Sequence, residues 1–145
     1  MTTKNTTNTK DEASNVFLGG TCAGSNWRNR LIGMLDKSYF NPVVDDWTPE
    51  CQAEEIRQRE ISNYCLYVLT PNLEGFFSIA EVIDDSNKRP EKTIFCVLEQ
   101  DVKNGEGTAF NKKQMKSLNA VGEMVVRNGG HWLKSLQEVA QFLNK

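Results

Sequence analysis

Two segments of the sequence, residues 64–70 (YCLYVLT) and 93–99 (TIFCVLE), are almost continuous in apolar residues. A strand with one solvated face alternates apolar and polar residues, whereas a strand covered on both faces does not. These segments therefore predict two strands in the interior of a parallel sheet. Residues 15–20 (NVFLGG), 40–45 (FNPVVD) and 123–127 (EMVVR) are predicted to be three further strands.

Helix-like segments separate the predicted strands. They are residues 25–37, 50–62, 76–85, 111–119 and 132–143. Strands that alternate with helices indicate right-handed βαβ crossovers and an α/β three-layer sandwich. Five strands favour a flavodoxin-like parallel sheet in the order 2-1-3-4-5. The polar, glycine-containing residues 100–108 (QDVKNGEGT) are predicted to form a surface loop.

The 145 residues fit a single domain, which we expect to span residues 15–145. Residues 1–14 are rich in Thr, Asn and Lys, which predicts a disordered leader. The formal net charge of −2 argues against a nucleic-acid partner, because binding to a phosphate backbone usually requires a basic excess. No apolar stretch approaches the roughly 20 residues that span a bilayer, so no membrane partner is expected.

The cysteine and histidine content argues against a metal site. None of the four cysteines belongs to a CxxC pair, and His131 is the only histidine, so the close ligand spacings of a zinc site are absent. Cys65 and Cys96 fall inside apolar strand segments, where free buried thiols are typical of a reducing compartment. We therefore expect a cytoplasmic protein.

In an open α/β sheet, ligands bind outside the carboxyl ends of the strands, beside the first strand. Three loops meet that edge, at residues 19–25, 45–50 and 71–75. The first (GGTCAGS) contains glycines that let a ligand approach the backbone, and a helix N-terminus follows it. It matches neither GxGxxG nor a Walker A loop, so a plain strand-to-helix turn is an equally good interpretation.

The second loop combines Asp45 and Asp46 with Trp47, followed by Thr48-Pro49. Carboxylates beside an aromatic ring suit a site for a sugar or a base. The same residue types are common in a solvated turn that caps a helix, and the residues alone favour that interpretation. The charged residues of the helix at 50–62 are expected to form mostly a solvent face.

Ser78 and Glu81 are the only polar residues in the apolar run 76–83. Three positions apart, they share one face of a helix that follows the central strand. A partly desolvated carboxylate there could act as a nucleophile or a general base. Spacing alone favours an ordinary solvated stripe. The neighbouring Asp84 and Asp85 are expected to lie on the surface.

Several short motifs resemble those of the nucleoside 2-deoxyribosyltransferase-like family, over roughly residues 16–98. They are Phe17-Leu18-Gly19-Gly20-Thr21, Trp27, Phe40-Asn41-Pro42, Trp47, and Pro71 followed by Gly75, Ser78 and Glu81. The resemblance implies a flavodoxin-like fold, a homodimer or higher homo-oligomer, and cleavage or transfer at the N-glycosidic bond of a (deoxy)nucleoside or nucleotide. It also implies that Glu81 is the nucleophile and that neither a metal nor an organic cofactor is needed.

The sequence departs from this family in the residues that assist the nucleophile. Gly75 stands where transferases usually have an aspartate and where relatives acting on nucleoside monophosphates have a serine. The family also has a typical aspartate on the helix before the third strand, and Glu55 lies near that position. Asp46 is the candidate for the second acid, with Asp45 behind it. The expected substrate-binding residues are Gly19, Gly20, Thr21, Asn41, Pro42, Asp45, Trp47, Gly75 and Ser78.

Two alternatives to this activity remain open. The missing acid at Gly75 is compatible with a relative that binds a nucleotide as a sensor or sequestering protein without cleaving it. An NAD glycohydrolase breaks the same type of bond, and NAD hydrolases of the TIR class resemble this fold with a catalytic Glu. The FLGG and FNP segments resemble the transferase family more closely.

Overall fold

A computed structural model describes residues 13–22 and 24–145. Strands and helices alternate along most of the chain, and a hairpin follows the fourth strand. The elements are β1 (Val16–Gly20), α1 (Trp27–Ile32), β2 (Tyr39–Phe40), α2 (Pro49–Ile61), β3 (Tyr64–Leu69), α3 (Phe77–Lys88), β4 (Thr93–Val97), β5 (Gln100–Lys103), β6 (Glu106–Ala109), α4 (Lys112–Arg127), β7 (His131–Leu133) and α5 (Leu136–Leu143).

Five parallel strands form the central sheet in the order β2-β1-β3-β4-β7. Strand β3 lies in the middle of the sheet. Its residue Leu66 pairs with Leu18 of β1 on one side and with Ile94 of β4 on the other. The sheet confirms the predicted α/β flavodoxin-like sandwich and its strand order, with β7 as the fifth strand. Strand β1 pairs with Tyr64–Val68 and β4 with Cys65–Leu69, so the carboxyl end of β3 lies at the centre of one sheet edge.

Both faces of the sheet are covered, which explains the continuous apolar segments. Leu66 and Val68 of β3 pack on one face in a cluster that includes residues of α1 and α5. Cys65, Tyr67 and Leu69 pack on the other face with residues of α3 and α4. Successive side chains of a strand point to opposite faces. Because neither face of the sheet contacts solvent, the β3 side chains on both faces are apolar.

The predicted strand at residues 123–127 is wrong, because this segment is the last part of α4. Its β-branched residues suggested a strand, but Leu118, Gly122 and Val125 are buried at helical spacing while Met124 is exposed. A capping box at Asn111 starts the helix, and the helix runs on to Arg127. The edge strand is β7, so the last helix begins at Leu136 rather than at residue 132.

The predicted surface loop at 100–108 is an antiparallel hairpin, β5–β6. Asn104 and Gly105 form its turn with φ angles of 53° and 80°. Asn-Gly is the usual pair in a two-residue hairpin turn that needs positive φ at both positions. The second predicted strand is also shorter than expected, since β2 contains only Tyr39 and Phe40.

The predicted leader lies outside the described residues up to residue 12. Ser14 is buried, and its carbonyl accepts a hydrogen bond from the Asn63 backbone N–H at 3.2 Å. Across residues 13–22 and 24–145, no helix has the length and apolar character needed to cross a membrane.

Candidate active site at the carboxyl edge of the sheet

Backbone and side-chain hydrogen bonds hold the first loop to the end of strand β3. The backbone N–H of Thr21 donates to the carbonyl of Val68 at 2.9 Å, and the Thr21 hydroxyl accepts from the N–H of Thr70 at 2.9 Å. Gly20 has a φ of 118°, and a Cβ there would lie 2.0 Å from the Val68 carbonyl oxygen. Only glycine fits this close approach.

Arg28 supports the first loop from below, a role that the sequence patterns did not indicate. Its buried guanidinium donates to the carbonyls of Leu18 at 3.0 and 3.1 Å and of Thr21 at 2.6 Å. The indole N–H of Trp27 donates to the same Thr21 carbonyl at 2.8 Å. These donors satisfy carbonyl oxygens that the end of strand β1 leaves without partners, so they fix the shape of the loop.

A pocket of about 280 Å³, here called the loop pocket, lies between the first and third loops. It contains four of the predicted substrate-binding residues: Gly20, Thr21, Gly75 and Ser78. Gly19 is not among the lining residues, and a Cβ there would meet the Tyr67 ring at 2.6 Å. The full lining is Gly20, Thr21, Cys22, Leu73, Glu74, Gly75, Phe77 and Ser78.

A second pocket of about 300 Å³, here called the α2 pocket, lies beside the start of α2. Of the predicted site residues, Asn41, Pro42 and Glu55 line it. It combines an apolar wall with three carboxylates, and its lining is Phe40, Asn41, Pro42, Val43, Val44, Glu50, Cys51, Glu54 and Glu55. Such a pocket can hold a flat ring and accept hydrogen bonds from its N–H groups.

The second loop contributes to this region unequally. The indole N–H of Trp47 donates to Glu55 at 3.0 Å, and the ring is 57% exposed. Asp45 and Asp46 are exposed and line neither pocket. Thr48 caps α2 by accepting from the N–H of Cys51 at 3.2 Å. The turn therefore has the helix-capping role that its residues favoured, while Trp47 orients a carboxylate of the α2 pocket.

Glu81 is the fifth residue of α3, one turn beyond Ser78 on the same helix face. Its side chain is only 15% exposed, so it is not a solvated stripe. One carboxylate oxygen lies 3.6 Å from Nη1 of Arg59. Burial is the largest cause that raises the pKa of Glu81, to about 7; Arg59 opposes it, and the charge of Glu55 adds to it.

A network of charged groups lies behind Glu81, between α2, α3 and β3. Asp85 is fully buried, which corrects the expectation that it lies on the surface. It accepts hydrogen bonds from Arg59, Arg89 and the hydroxyl of Tyr67. Arg59 is thus a buried cation of α2, a helix whose charges were expected to form mostly a solvent face. A fully buried carboxylate is stable only with several such donors.

The hairpin β5–β6 covers the loops at this edge, a feature that was not predicted. Asn72 is buried and donates to the carbonyls of Gly24 at 3.1 Å and Val102 at 2.9 Å, and it accepts from the Thr108 hydroxyl at 3.0 Å. The Ser25 hydroxyl donates to Asp101 at 2.7 Å. In addition, Lys103 forms an ion pair with Glu74 at the rim of the loop pocket.

Within residues 13–22 and 24–145, no group of three or more His, Cys, Asp or Glu side chains could hold a metal ion. Residues 13–100 match the model of a family described as "nucleoside 2-deoxyribosyltransferase like". The match covers more than half of the chain, from the segment before β1 to the start of β5. No curated protein matches the chain.

Proposed function

Since the chain belongs to the nucleoside 2-deoxyribosyltransferase-like family, we propose that it cleaves or transfers at the N-glycosidic bond of a (deoxy)nucleoside or nucleotide. The observation that carries this proposal is the environment of Glu81. This carboxylate is largely buried, has a pKa raised to about 7, and follows the central strand at the ligand-binding edge. A pKa near the working pH is typical of a group that reacts.

The proposed chemistry has two steps, as in retaining glycosidases. The Glu81 carboxylate attacks the anomeric carbon, the bond from that carbon to the base nitrogen breaks, and its electron pair leaves with the base. A proton from an acidic side chain neutralises the departing base. In the second step, water or an acceptor base attacks the same carbon, the bond to Glu81 breaks, and the proton that the attacking group loses returns to that acidic side chain. Neither step needs a metal or an organic cofactor.

Glu55 is the better candidate for the acid that protonates or orients the leaving base. It lines the α2 pocket, Trp47 donates a hydrogen bond to it, and its charge raises the pKa of Glu81. Asp46 was the first candidate from the sequence, but its side chain is exposed and lines neither pocket. In this arrangement the α2 pocket holds the base and the loop pocket beside Ser78 holds the sugar, and Glu81, which lines neither pocket, reaches the anomeric carbon from one helical turn beyond Ser78.

The test is incubation with a panel of deoxynucleosides, ribonucleosides, their 5′-monophosphates and NAD, with and without an added free base. Chromatography would read base release or exchange. We expect Glu81→Ala to abolish turnover, Glu55→Gln to reduce it more than Asp46→Asn, and the exposed control Glu123→Gln to keep it. Turnover that survives in Glu81→Ala would refute the proposal, and nicotinamide release from NAD would reassign the substrate.

A second candidate function, binding without cleavage, is supported by the environment of Gly75. No side chain occupies the position of the transferase aspartate, and a Cβ there would meet nothing within 4 Å. Thermal-shift screening with the same panel separates the two functions. A ligand that raises the melting temperature in proportion to its concentration, yet is recovered unchanged, would favour a binding protein.

We also propose a homodimer or higher homo-oligomer and a cytoplasmic location. Phe76 and Phe77 are 72% and 70% exposed beside the loop pocket, where a partner subunit could cover them. Light scattering coupled to size exclusion would test the oligomer, and Phe77→Ser should weaken it. The location rests on Cys65 and Cys96, which are free and buried.

A further inference from the structure

The guanidinium of Arg59 is held from behind by the buried carboxylate of Asp85. Arg59 Nε donates to one Asp85 oxygen at 3.2 Å, and Nη2 donates to the other at 2.9 Å. Arg89 Nε donates to Asp85 at 3.1 Å from the opposite end of the network, and the Tyr67 hydroxyl donates as well. This two-point contact fixes the plane of the guanidinium, since a fork of two donors matches a carboxylate.

The remaining guanidinium nitrogen, Nη1, points at Glu81. The distance to the nearer carboxylate oxygen is 3.6 Å, which is beyond hydrogen-bond range. Glu81 has no side-chain hydrogen bond to any residue that the structure describes, so its oxygens keep their lone pairs for another atom. An ion pair without a hydrogen bond favours the carboxylate form but leaves the attacking oxygen free.

We propose that Arg59, held by Asp85, is a positioning residue that favours the ionised form of the Glu81 carboxylate and aims it at the anomeric carbon. This inference rests on the proposed function, because it names a further residue of the same reaction. Arg59 itself touches neither pocket lining and takes no part in bond making.

The charged and titratable groups that face Glu81 come from three elements. Helix α2 contributes Arg59 and Glu55, α3 contributes Asp84 and Asp85, and β3 contributes Tyr67. Burial raises the pKa of Tyr67 well above its ordinary value, so its hydroxyl stays protonated and donates to Asp85. Arg59 is the only cation in this set, and the acids all oppose ionisation of Glu81.

Asp84 offers a test of opposite sign. Its partly exposed carboxylate accepts from Arg59 Nη2 at 3.0 Å, the same nitrogen that donates to Asp85, and it also pairs with Lys88. Removing its charge should make Glu81 easier to ionise, whereas removing the charge of Arg59 should make it harder. Arg57, two positions away, pairs with Glu54 and does not contact Glu81, so it is a matched control on the same helix.

The experiment follows the titration of Glu81 by NMR of carboxyl-¹³C-labelled glutamate, with Glu81→Gln to assign the signal. The variants are Arg59→Gln, Arg59→Lys, Asp84→Asn and Arg57→Gln. We expect the midpoint to rise by about one pH unit or more in Arg59→Gln, in line with the effect of losing an opposite charge at this range. It should fall in Asp84→Asn, stay unchanged in Arg57→Gln and lie in between in Arg59→Lys.

Base release should follow the titration. At pH 6 the kcat of Arg59→Gln should fall about tenfold or more relative to the unchanged protein, and the difference should shrink at pH 9, because one pKa unit is a factor of ten in the ionised fraction. KM should change little, since Arg59 lines neither pocket. A purely structural role would instead lower kcat equally at every pH. Thermal melts report whether each variant folds.

Unmoved Glu81 midpoints in both Arg59→Gln and Asp84→Asn would overturn the inference. Should Arg59→Gln not fold, Asp84→Asn decides by itself, because that side chain is partly exposed and its substitution conserves shape. The titration uses no substrate, so the two proposals fail separately. Shifted midpoints without any base release would refute the proposed function alone, and Glu81-dependent base release with unmoved midpoints would refute the role of Arg59 alone.

Discussion

Replacing Glu81 with glutamine should stabilise the folded protein at pH 8 and leave its stability nearly unchanged at pH 4. Glutamine has the shape of the protonated side chain but never carries its charge. In the folded protein the pKa of Glu81 rises from its ordinary 4.5 to about 7, with burial as the largest cause. The ionised form is therefore tolerated less well in the folded protein than in the unfolded chain.

The sign and size of the effect follow from proton linkage. Well below pH 4.5 the Glu81 side chain is protonated in both the folded and the unfolded protein, so it does not lower the free energy of unfolding. Between the two pKa values the folded state binds more protons than the unfolded state, so stability falls as the pH rises, and above pH 7 the full cost is present. With about 1.4 kcal/mol for each unit of pKa, the cost is about 3 kcal/mol at pH 8.

The assay is urea denaturation of the unchanged protein and Glu81→Gln at pH 4, 6 and 8. We expect the free energy of unfolding of the variant to exceed that of the unchanged protein by about 3 kcal/mol at pH 8 and by less than about 0.5 kcal/mol at pH 4. Exposed Glu123→Gln should show no such dependence. A difference of the same size at all three pH values would refute the reasoning, because a pH-independent change reports packing.

Three further predictions concern the loops around the site. Gly20→Ala should lower the free energy of unfolding by about 2 kcal/mol or more, because residue 20 has a positive φ and its Cβ would lie 2.0 Å from a carbonyl oxygen. Gly107→Ala should leave the free energy of unfolding unchanged, since a Cβ there meets nothing within 4 Å. Urea denaturation would measure both variants. Asn72→Ala removes three hydrogen bonds at about 1 kcal/mol each, two of which anchor the hairpin at Val102 and Thr108, so amide exchange in residues 100–109 should accelerate. Gly75→Asp places the acid that transferases have into open space, so we expect base exchange to rise. The free energy of unfolding should stay within about 0.5 kcal/mol of that of the unchanged protein. Unchanged base exchange would mean that Glu55 already supplies the acid.

The parts of the fold that the sequence predicted well are those where one local pattern has one solution. The apolar segments around Leu66 and Ile94 have no polar face, so only a strand buried on both sides accommodates them. The segment at 123–127 failed because β-branched residues suit both a strand and the buried stripe of a helix. Which of the two forms depends on the distant capping box at Asn111. The hairpin could have been recognised from Asn104-Gly105.

The candidate site divides in a similar way. Residues close together in the sequence, such as Gly20 with Thr21 or Gly75 with Ser78, were found because their spacing is local, and the structure brings both pairs to one pocket. Asp85 and Arg59 were expected on solvent faces, because a charged side chain in a helix usually lies there. Their burial depends on each other, across 26 positions of the chain.

The sequence alone determined the strand–helix alternation, the sheet edge at which we expect ligands to bind and the choice of Glu81 as the candidate nucleophile, because these depend on periodicity, on chain direction and on short motifs. Only the tertiary structure decided that Glu81 is buried, that Arg59 faces it and that Glu55 rather than Asp46 lies in a pocket nearby. The physical reason is that desolvation and Coulomb interactions depend on distances through space. Those distances exist only after α2, α3 and β3 have packed together.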